Sequence, residues 1–203
     1  MFQEFKNALF DQIVISTHQV NLLFPGFDPR NLTRWTKKGY VVRLRKGLYT
    51  FPEYLKREGL HLYFANRMYR PSYISLHYAL SFYGIIPEMI SDITSVTTLK
   101  TTSFHNPAGY FTYQTMLPAF FTGYEPRKMN DVSILFATPE KALIDLFYLY
   151  PEYNDPDEIA NLRLDRQMML DSIHTPSLLH DLDEMKNQSL TRRIRLMLEI
   201  YNL

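Results

Sequence analysis

The sequence predicts an α+β protein in two parts. Residues 1–52 are expected to form a small domain of helices and a hairpin, and residues 53–203 a mixed α+β domain with a helical C-terminal end. Within the first fifty residues, apolar side chains recur first at helical and then at strand spacing, until Pro52 ends the pattern. The chain has 203 residues, 46% of them hydrophobic, so each part can bury a core.

Charge is divided unevenly along the chain, although the net charge is only +1. Residues 1–50 carry eight Lys/Arg against three Asp/Glu, which sums to +5. The other 153 residues carry fourteen against eighteen, which sums to −4. A basic segment joined to an acidic one is expected when one part of a protein meets a polyanion and the other does not.

Two short helices are predicted at the start of the chain. The first covers residues 3–11, where apolar side chains recur at helical spacing. The second covers residues 18–24, where Ser16 or Thr17 can cap the helix and Pro25-Gly26 ends it. The apolar side chains of this second helix that are available for the core are Val20, Leu22 and Leu23.

A third helix is predicted over residues 29–38, with Asp28 as its N-cap and Gly39 at its end. Leu32 and Trp35 can face inward, which leaves a cationic outer face. The residues expected to lie largely outside are Arg30, Asn31, Arg34, Lys37 and Lys38.

A hairpin follows the third helix. Residues 40–45 alternate in the manner of a strand, Lys46-Gly47 supplies a turn, and residues 48–51 return as a second strand. Three helices followed by a hairpin are typical of a winged helix-turn-helix, in which the third helix enters the major groove of DNA.

The remainder of the chain mixes helical and strand periods. Thr138-Pro139-Glu140 is typical of a helix start, and the chain is predicted to be helical beyond Pro151. The other expected elements are helices over residues 53–69 and 72–83, a strand over residues 93–98, a hairpin around residues 106–109 and a strand over residues 132–136.

Seven Lys/Arg and no Asp/Glu lie between Pro29 and Pro52. Neutralising DNA phosphates releases counterions, so this cluster favours double-stranded DNA as the partner. The candidate base-reading residues are Arg30, Asn31, Thr33 and Arg34. The candidate phosphate contacts are Lys37, Lys38, Arg43, Arg45 and Lys46. The alternative is a solvated basic face, but a surface that serves only solubility would mix both signs of charge.

Four stretches carry a resemblance to a known family. They are Ile-Ser-Thr-His-Gln-Val at 15–20, Leu-Thr-Arg-Trp-Thr-Lys-Lys-Gly-Tyr-Val-Val-Arg-Leu-Arg-Lys-Gly-Leu-Tyr at 32–49, Tyr-Ile-Ser-Leu-His-Tyr-Ala-Leu at 73–80 and Ala-Thr-Pro-Glu-Lys-Ala-Leu-Ile-Asp-Leu at 137–146. In order and spacing they resemble the AbiE-type (AbiEi) antitoxins. The resemblance implies a bacterial transcriptional regulator that represses its own operon and counteracts a nucleotidyltransferase toxin encoded beside it. Residues 151–203 lie outside the resemblance.

The sequence does not favour an enzyme. No catalytic residue, metal site or cofactor is expected, because the chain has no cysteine, its six histidines show no ligand spacing, and no glycine-rich loop could cradle a nucleotide. A metal-dependent nuclease using Asp131, Glu140, Lys141 and Asp145 is the less favoured alternative. Adjacent Glu140 and Lys141 would point to different faces of a helix, and a Lys141–Asp145 pair one turn apart is expected to be ordinary surface support.

Two further expectations concern partners and location. A protein-interaction antitoxin that does not bind DNA is the other alternative function. The N-terminus lacks the features of a signal peptide, and no apolar run is long enough to span a bilayer. We therefore expect a cytoplasmic protein without a membrane partner, and the sequence does not indicate its oligomeric state.

Overall fold

The computed structural model describes residues 1–203. Its N-terminal part contains α1 (Phe2–Leu9), β1 (Ile15–Ser16), α2 (Thr17–Leu23), α3 (Arg30–Lys37), β2 (Val42–Arg45) and β3 (Leu48–Thr50). The strands form an antiparallel sheet in the order β1-β3-β2. The three helices and the hairpin lie within two residues of their predicted bounds. The two-residue strand β1 was not predicted, because it is too short to show alternation.

Local hydrogen bonds set the limits of the second and third helices. The Ser16 hydroxyl accepts a hydrogen bond from the Gln19 N–H, and the Gln19 side chain accepts one from the Ser16 N–H, which together form a capping box. The N-cap of α3 is Pro29 and not Asp28 as predicted, although Asp28 Oδ1 accepts a hydrogen bond of 2.9 Å from the Arg30 N–H at the start of the helix. Gly39 follows α3 with a φ of 71°, a conformation that favours glycine.

An aromatic cluster forms the core of the N-terminal part. Phe5 is 1% exposed, and its ring centroid lies 4.9 Å from that of Trp35 and 5.8 Å from those of Phe24 and Phe27. These contacts place α1 and the loop after α2 against the inner face of α3. The position of α3 therefore depends on aromatic packing.

The prediction that Leu22 and Leu23 are available for the core is wrong. Their side chains are 66% and 57% exposed, and Val20 is the buried residue of α2. The helix ends at Leu23, and the chain then turns so that Phe24 and Phe27 fill the space instead.

A six-stranded mixed sheet forms the centre of the second part, which we call the body (residues 53–203). Its order is β6-β7-β5-β4-β9-β8, with β5/β7 and β4/β9 parallel and the other pairs antiparallel. Its strands are β4 (Ser72–Ile74), β5 (Ile93–Thr97), β6 (Thr102–Asn106), β7 (Gly109–Thr115), β8 (Tyr124–Met129) and β9 (Val132–Ala137). The predicted hairpin around residues 106–109 is β6-β7.

Eight helices complete the chain. They are α4 (Pro52–Leu55), α5 (Leu60–Met68), α6 (Leu76–Phe82), α7 (Pro139–Leu149), α8 (Pro156–Asn161), α9 (Arg166–Ser172), α10 (Thr175–Met185) and α11 (Gln188–Tyr201), with a 3₁₀ turn at Pro118–Phe120. The buried helix α7 packs against α6, α10 and α11, and α5 packs against β9. None of the helices is both long enough and apolar enough to cross a membrane.

Two predicted helices of the body are divided in the structure. The one over residues 53–69 breaks at Gly59, which has a φ of 77°, into α4 and α5. The one over residues 72–83 begins as strand β4, and only its later part is helical. Because all three residues of β4 are buried, the strand lacks the alternation that would have identified it. The division at residue 52 stays a prediction, since buried apolar residues of both parts form one continuous cluster.

Replacing Phe5 tests the dependence of the N-terminal part on aromatic packing. Phe5→Ala removes a buried ring that contacts five other aromatic side chains, Phe2, Phe24, Phe27, Trp35 and Phe51. We expect it to lower the free energy of unfolding by about 3–5 kcal/mol in urea denaturation followed by circular dichroism. Phe5→Leu should cost less, because it keeps part of the buried volume. Equal stability of Phe5→Ala and the unmodified chain would contradict this packing.

Candidate nucleic-acid interface

The outer face of α3 is cationic. Its exposed residues recur on successive turns of the helix and are Arg30, Thr33, Arg34, Lys37 and Lys38, the last directly following the helix. No Asp or Glu lies within α3, and none of the four cations has a carboxylate within 4.0 Å. Leu32 and Trp35 are buried on the opposite face, as predicted. The face is therefore free to meet an anionic partner.

Asn31 does not lie outside, so this prediction is wrong. It is 7% exposed, with its amide nitrogen 3.9 Å from the Met1 sulfur. Its Oδ1 accepts a hydrogen bond from the Arg34 guanidinium. Asn31 precedes Leu32 and shares the inner side of the helix with it. Its side chain therefore contacts the Arg34 guanidinium on the inner side of the helix instead of facing outwards.

The hairpin of β2 and β3, which we call the wing, presents two of its three cations to solvent. Arg43 and Lys46 are exposed, as expected of phosphate contacts. Arg45 is half-buried, and its guanidinium donates a hydrogen bond to the Met68 carbonyl. The same guanidinium lies 5.4 Å from the centroid of the Phe104 ring. These contacts direct the Arg45 guanidinium towards the body, so the phosphate contact predicted for Arg45 is less favoured than those of Arg43 and Lys46 and stays a prediction.

A register shift in β2 explains why Arg43 and Arg45 differ. In a regular strand their side chains would share a face. The pairing with β3 shifts between these two residues, a bulge that changes the alternation. Arg43 therefore stays in solvent while Arg45 reaches Tyr69 and Phe104, 5.8 and 5.4 Å from the two ring centroids.

The wing and the body meet at the edges of their sheets. Strand β2 is an edge of the three-stranded sheet, and β6 is an edge of the six-stranded sheet. The Asn106 amide donates a hydrogen bond of 2.9 Å to the Leu44 carbonyl across the junction. A groove of about 470 Å³ runs between the two edges, and residues 43–46 and 103–106 line it. The wing is thus fixed on the body.

Two residues of this groove were missed by sequence reasoning. Ser103 and His105 are exposed on β6 and face the same groove as Arg43 and Lys46. A signal was present, because residues 93–124 contain no Asp or Glu. The overall acidity of the body concealed it.

Residues 8–52 match the family model described as "Transcriptional regulator, AbiEi antitoxin". The resemblance predicted from the sequence is thereby confirmed over that range. The match begins within α1 and ends at the first residue of α4, so it contains α3 and the wing. It supports a regulator of the antitoxin kind. No curated protein matches the chain.

The prediction that Lys141 and Asp145 form a surface pair is wrong. Both are buried on α7, with Lys141 Nζ 2.7 Å from Asp145 Oδ1. The Tyr73 and Ser75 hydroxyls donate hydrogen bonds of 2.9 and 2.7 Å to Asp145 Oδ2. Burial raises the pKa of Asp145, while Lys141 and the two hydroxyls act to lower it. The arrangement joins α7 to β4 and its C-terminal end.

The other residues of the nuclease alternative do not converge with this pair. Glu140 Oε1 accepts a hydrogen bond of 2.8 Å from the His174 N–H at the start of α10. Asp131 is exposed in the turn between β8 and β9. No three His, Asp or Glu side chains are placed to hold a metal ion.

Exchange of each wing arginine for alanine should separate their roles. Arg43→Ala is expected to leave stability unchanged within about 0.5 kcal/mol, because the side chain is exposed. Arg45→Ala is expected to destabilise the chain by about 1–3 kcal/mol, because it removes a charged hydrogen bond and two ring contacts. Thermal and urea unfolding provide the measurement. Equal effects of the two substitutions would show that Arg45 does not fasten the wing.

Replacing Lys141 tests how much folding free energy is lost when the Asp145 carboxylate is buried without its cationic partner. Lys141→Met is expected to lower the free energy of unfolding by about 3–5 kcal/mol at pH 7, and the double variant Lys141→Met/Asp145→Leu to recover part of it. Without Lys141 the folded-state pKa of Asp145 rises further. The deficit should therefore be largest above that raised pKa and shrink as the pH falls towards the ordinary aspartate value. A deficit independent of pH in urea unfolding would contradict the buried charge.

Proposed function

We propose that this chain is a DNA-binding transcriptional regulator whose residues 1–52 act as a winged helix-turn-helix. The observation that carries the proposal is the exposed, carboxylate-free cationic face of α3. The element order supports it, since helix, strand, helix, helix and hairpin place α3 beside a wing. The family match over residues 8–52 supports it independently.

In the proposed complex, α3 lies in the major groove of operator DNA. Arg30, Thr33 and Arg34 are the candidates for base contacts, because they are the exposed residues of its N-terminal half. Asn31 positions Arg34 through the hydrogen bond to its guanidinium. The candidate phosphate contacts are Lys37, Lys38, Arg43 and Lys46. Four such contacts give a slope of about −4 for the logarithm of affinity against the logarithm of salt concentration.

The biological role proposed is that of a bacterial, cytoplasmic antitoxin that represses its own operon by occupying the promoter. A cognate nucleotidyltransferase toxin is the proposed protein partner. This part of the proposal rests on the resemblance of the chain to the AbiEi family and on the matched segment.

Charge removal on α3 tests DNA binding. Arg30→Ala/Arg34→Ala is expected to abolish the gel shift of a duplex from upstream of the gene, since it removes both candidate guanine contacts. The matched control is Lys128→Ala/Arg163→Ala, which removes two exposed cations of the body. The control should bind like the unmodified chain, and the measurement is a titration over a salt series.

Two outcomes would contradict the proposal. An unchanged shift with the α3 double variant would reject α3 as the contact surface. If the unmodified chain fails to shift the duplex but retains the product of the neighbouring gene, the chain is instead an antitoxin that acts by protein interaction alone.

A further inference from the structure

We infer that the outer face of β6 and β7 also contacts the DNA backbone and extends the interface made by α3 and the wing. This inference rests on the proposed function. The groove between the wing and the body brings side chains of both parts together. Arg43 and Lys46 line this groove from one side, and Ser103 and His105 line it from the other. All four are exposed.

Strand register places polar side chains together on this face. Ser103 lies opposite Thr112, and His105 lies opposite Tyr110, so the four share one side of the sheet. Phe104, between them, contacts the aromatic rings of the other side, with its centroid 5.9 Å from that of Tyr69. The face therefore presents hydroxyl and imidazole groups to solvent, including the exposed Tyr110, and Phe104 packs on the opposite side of the sheet.

The charge around this face is unlike that of the rest of the body. The body and its preceding residues 51–52 carry fourteen basic and eighteen acidic side chains, yet residues 93–124, which include β5, β6 and β7, carry no Asp or Glu. Hydroxyl, amide and imidazole groups donate hydrogen bonds to phosphate oxygens, and a carboxylate nearby would repel them. The half of the sheet beside the wing is thus suited to a polyanion.

The junction fixes this face relative to α3. The Asn106–Leu44 hydrogen bond and the contact of the Arg45 guanidinium with the Phe104 ring hold β6 against the wing, so DNA bound by the wing would meet β6 in a set position. Neighbouring strands lie about 4.8 Å apart, so β6 and β7 widen the surface by about 10 Å. That width corresponds to about three base pairs of duplex.

A lysine added to this face provides the sharpest test. Ser103→Lys is expected to tighten binding at low salt and to steepen the salt slope by about 0.9, the value of one further phosphate contact. The matched control is Ser133→Lys, at an exposed serine of β9 near the opposite edge of the same sheet. Both substitutions raise the net charge equally, so a difference between them reports position.

A negative charge introduced at the same two positions provides a second test. Ser103→Glu is expected to weaken binding on the order of tenfold by repelling phosphate, and Ser133→Glu to leave it unchanged. Hydroxyl-radical footprints should lose protection over about three base pairs at one flank with Ser103→Glu.

Equal effects of the two lysine variants, or an unchanged footprint with Ser103→Glu, would overturn the inference. The proposed function would survive that result as long as Arg30→Ala/Arg34→Ala still abolishes binding. If that helix variant binds normally as well, the proposed function fails too.

Discussion

One half-buried arginine between the wing and the body fixes the orientation of the wing beside α3. The side chain of Arg45 extends from the wing towards the body. Its guanidinium donates a hydrogen bond to the Met68 carbonyl and lies over the Tyr69 and Phe104 rings. Edge strands expose unpaired backbone groups and tend to pair with other chains. Here the β2 and β6 edges lie against each other, and the Asn106 amide occupies the Leu44 carbonyl. The junction therefore occupies one carbonyl of the β2 edge and fixes the orientation of the wing.

The α3 helix depends on packing against the rest of the N-terminal part, because it is too short to be stable alone. It has eight residues, and isolated helices of that length are scarcely formed in water. Its buried Trp35 is held by three aromatic side chains from outside the helix, Phe2, Phe5 and Phe27. A cationic face with no neutralising carboxylate adds self-repulsion. Packing on the inner side must therefore compensate for repulsion on the outer side.

Features that depend on local chemistry could be predicted from the sequence, and features that depend on distant residues could not. The limits of α3 follow from Asp28 and Gly39, which act within a few residues. The destination of Arg45 depends on a bulge and on Phe104, 59 positions later in the chain. The burial of the Lys141–Asp145 pair likewise depends on hydroxyls 70 and 72 positions away in sequence, and an i,i+4 spacing alone cannot distinguish a surface pair from a buried one.

The buried pair on α7 is connected to the wing junction through the six-stranded sheet. Asp145 is hydrogen-bonded to Tyr73 in β4 and to Ser75 just after it, and from β4 the backbone ladder runs through β5 and β7 to β6. Arg193 of α11 donates a hydrogen bond of 2.8 Å to the Phe147 carbonyl of α7, which ties the C-terminal helix to the same anchor. A buried carboxylate held by two hydroxyl donors and by the Lys141 ammonium tolerates little displacement. The anchor thus sets β4, and through three strand pairings it sets the edge on which the wing rests.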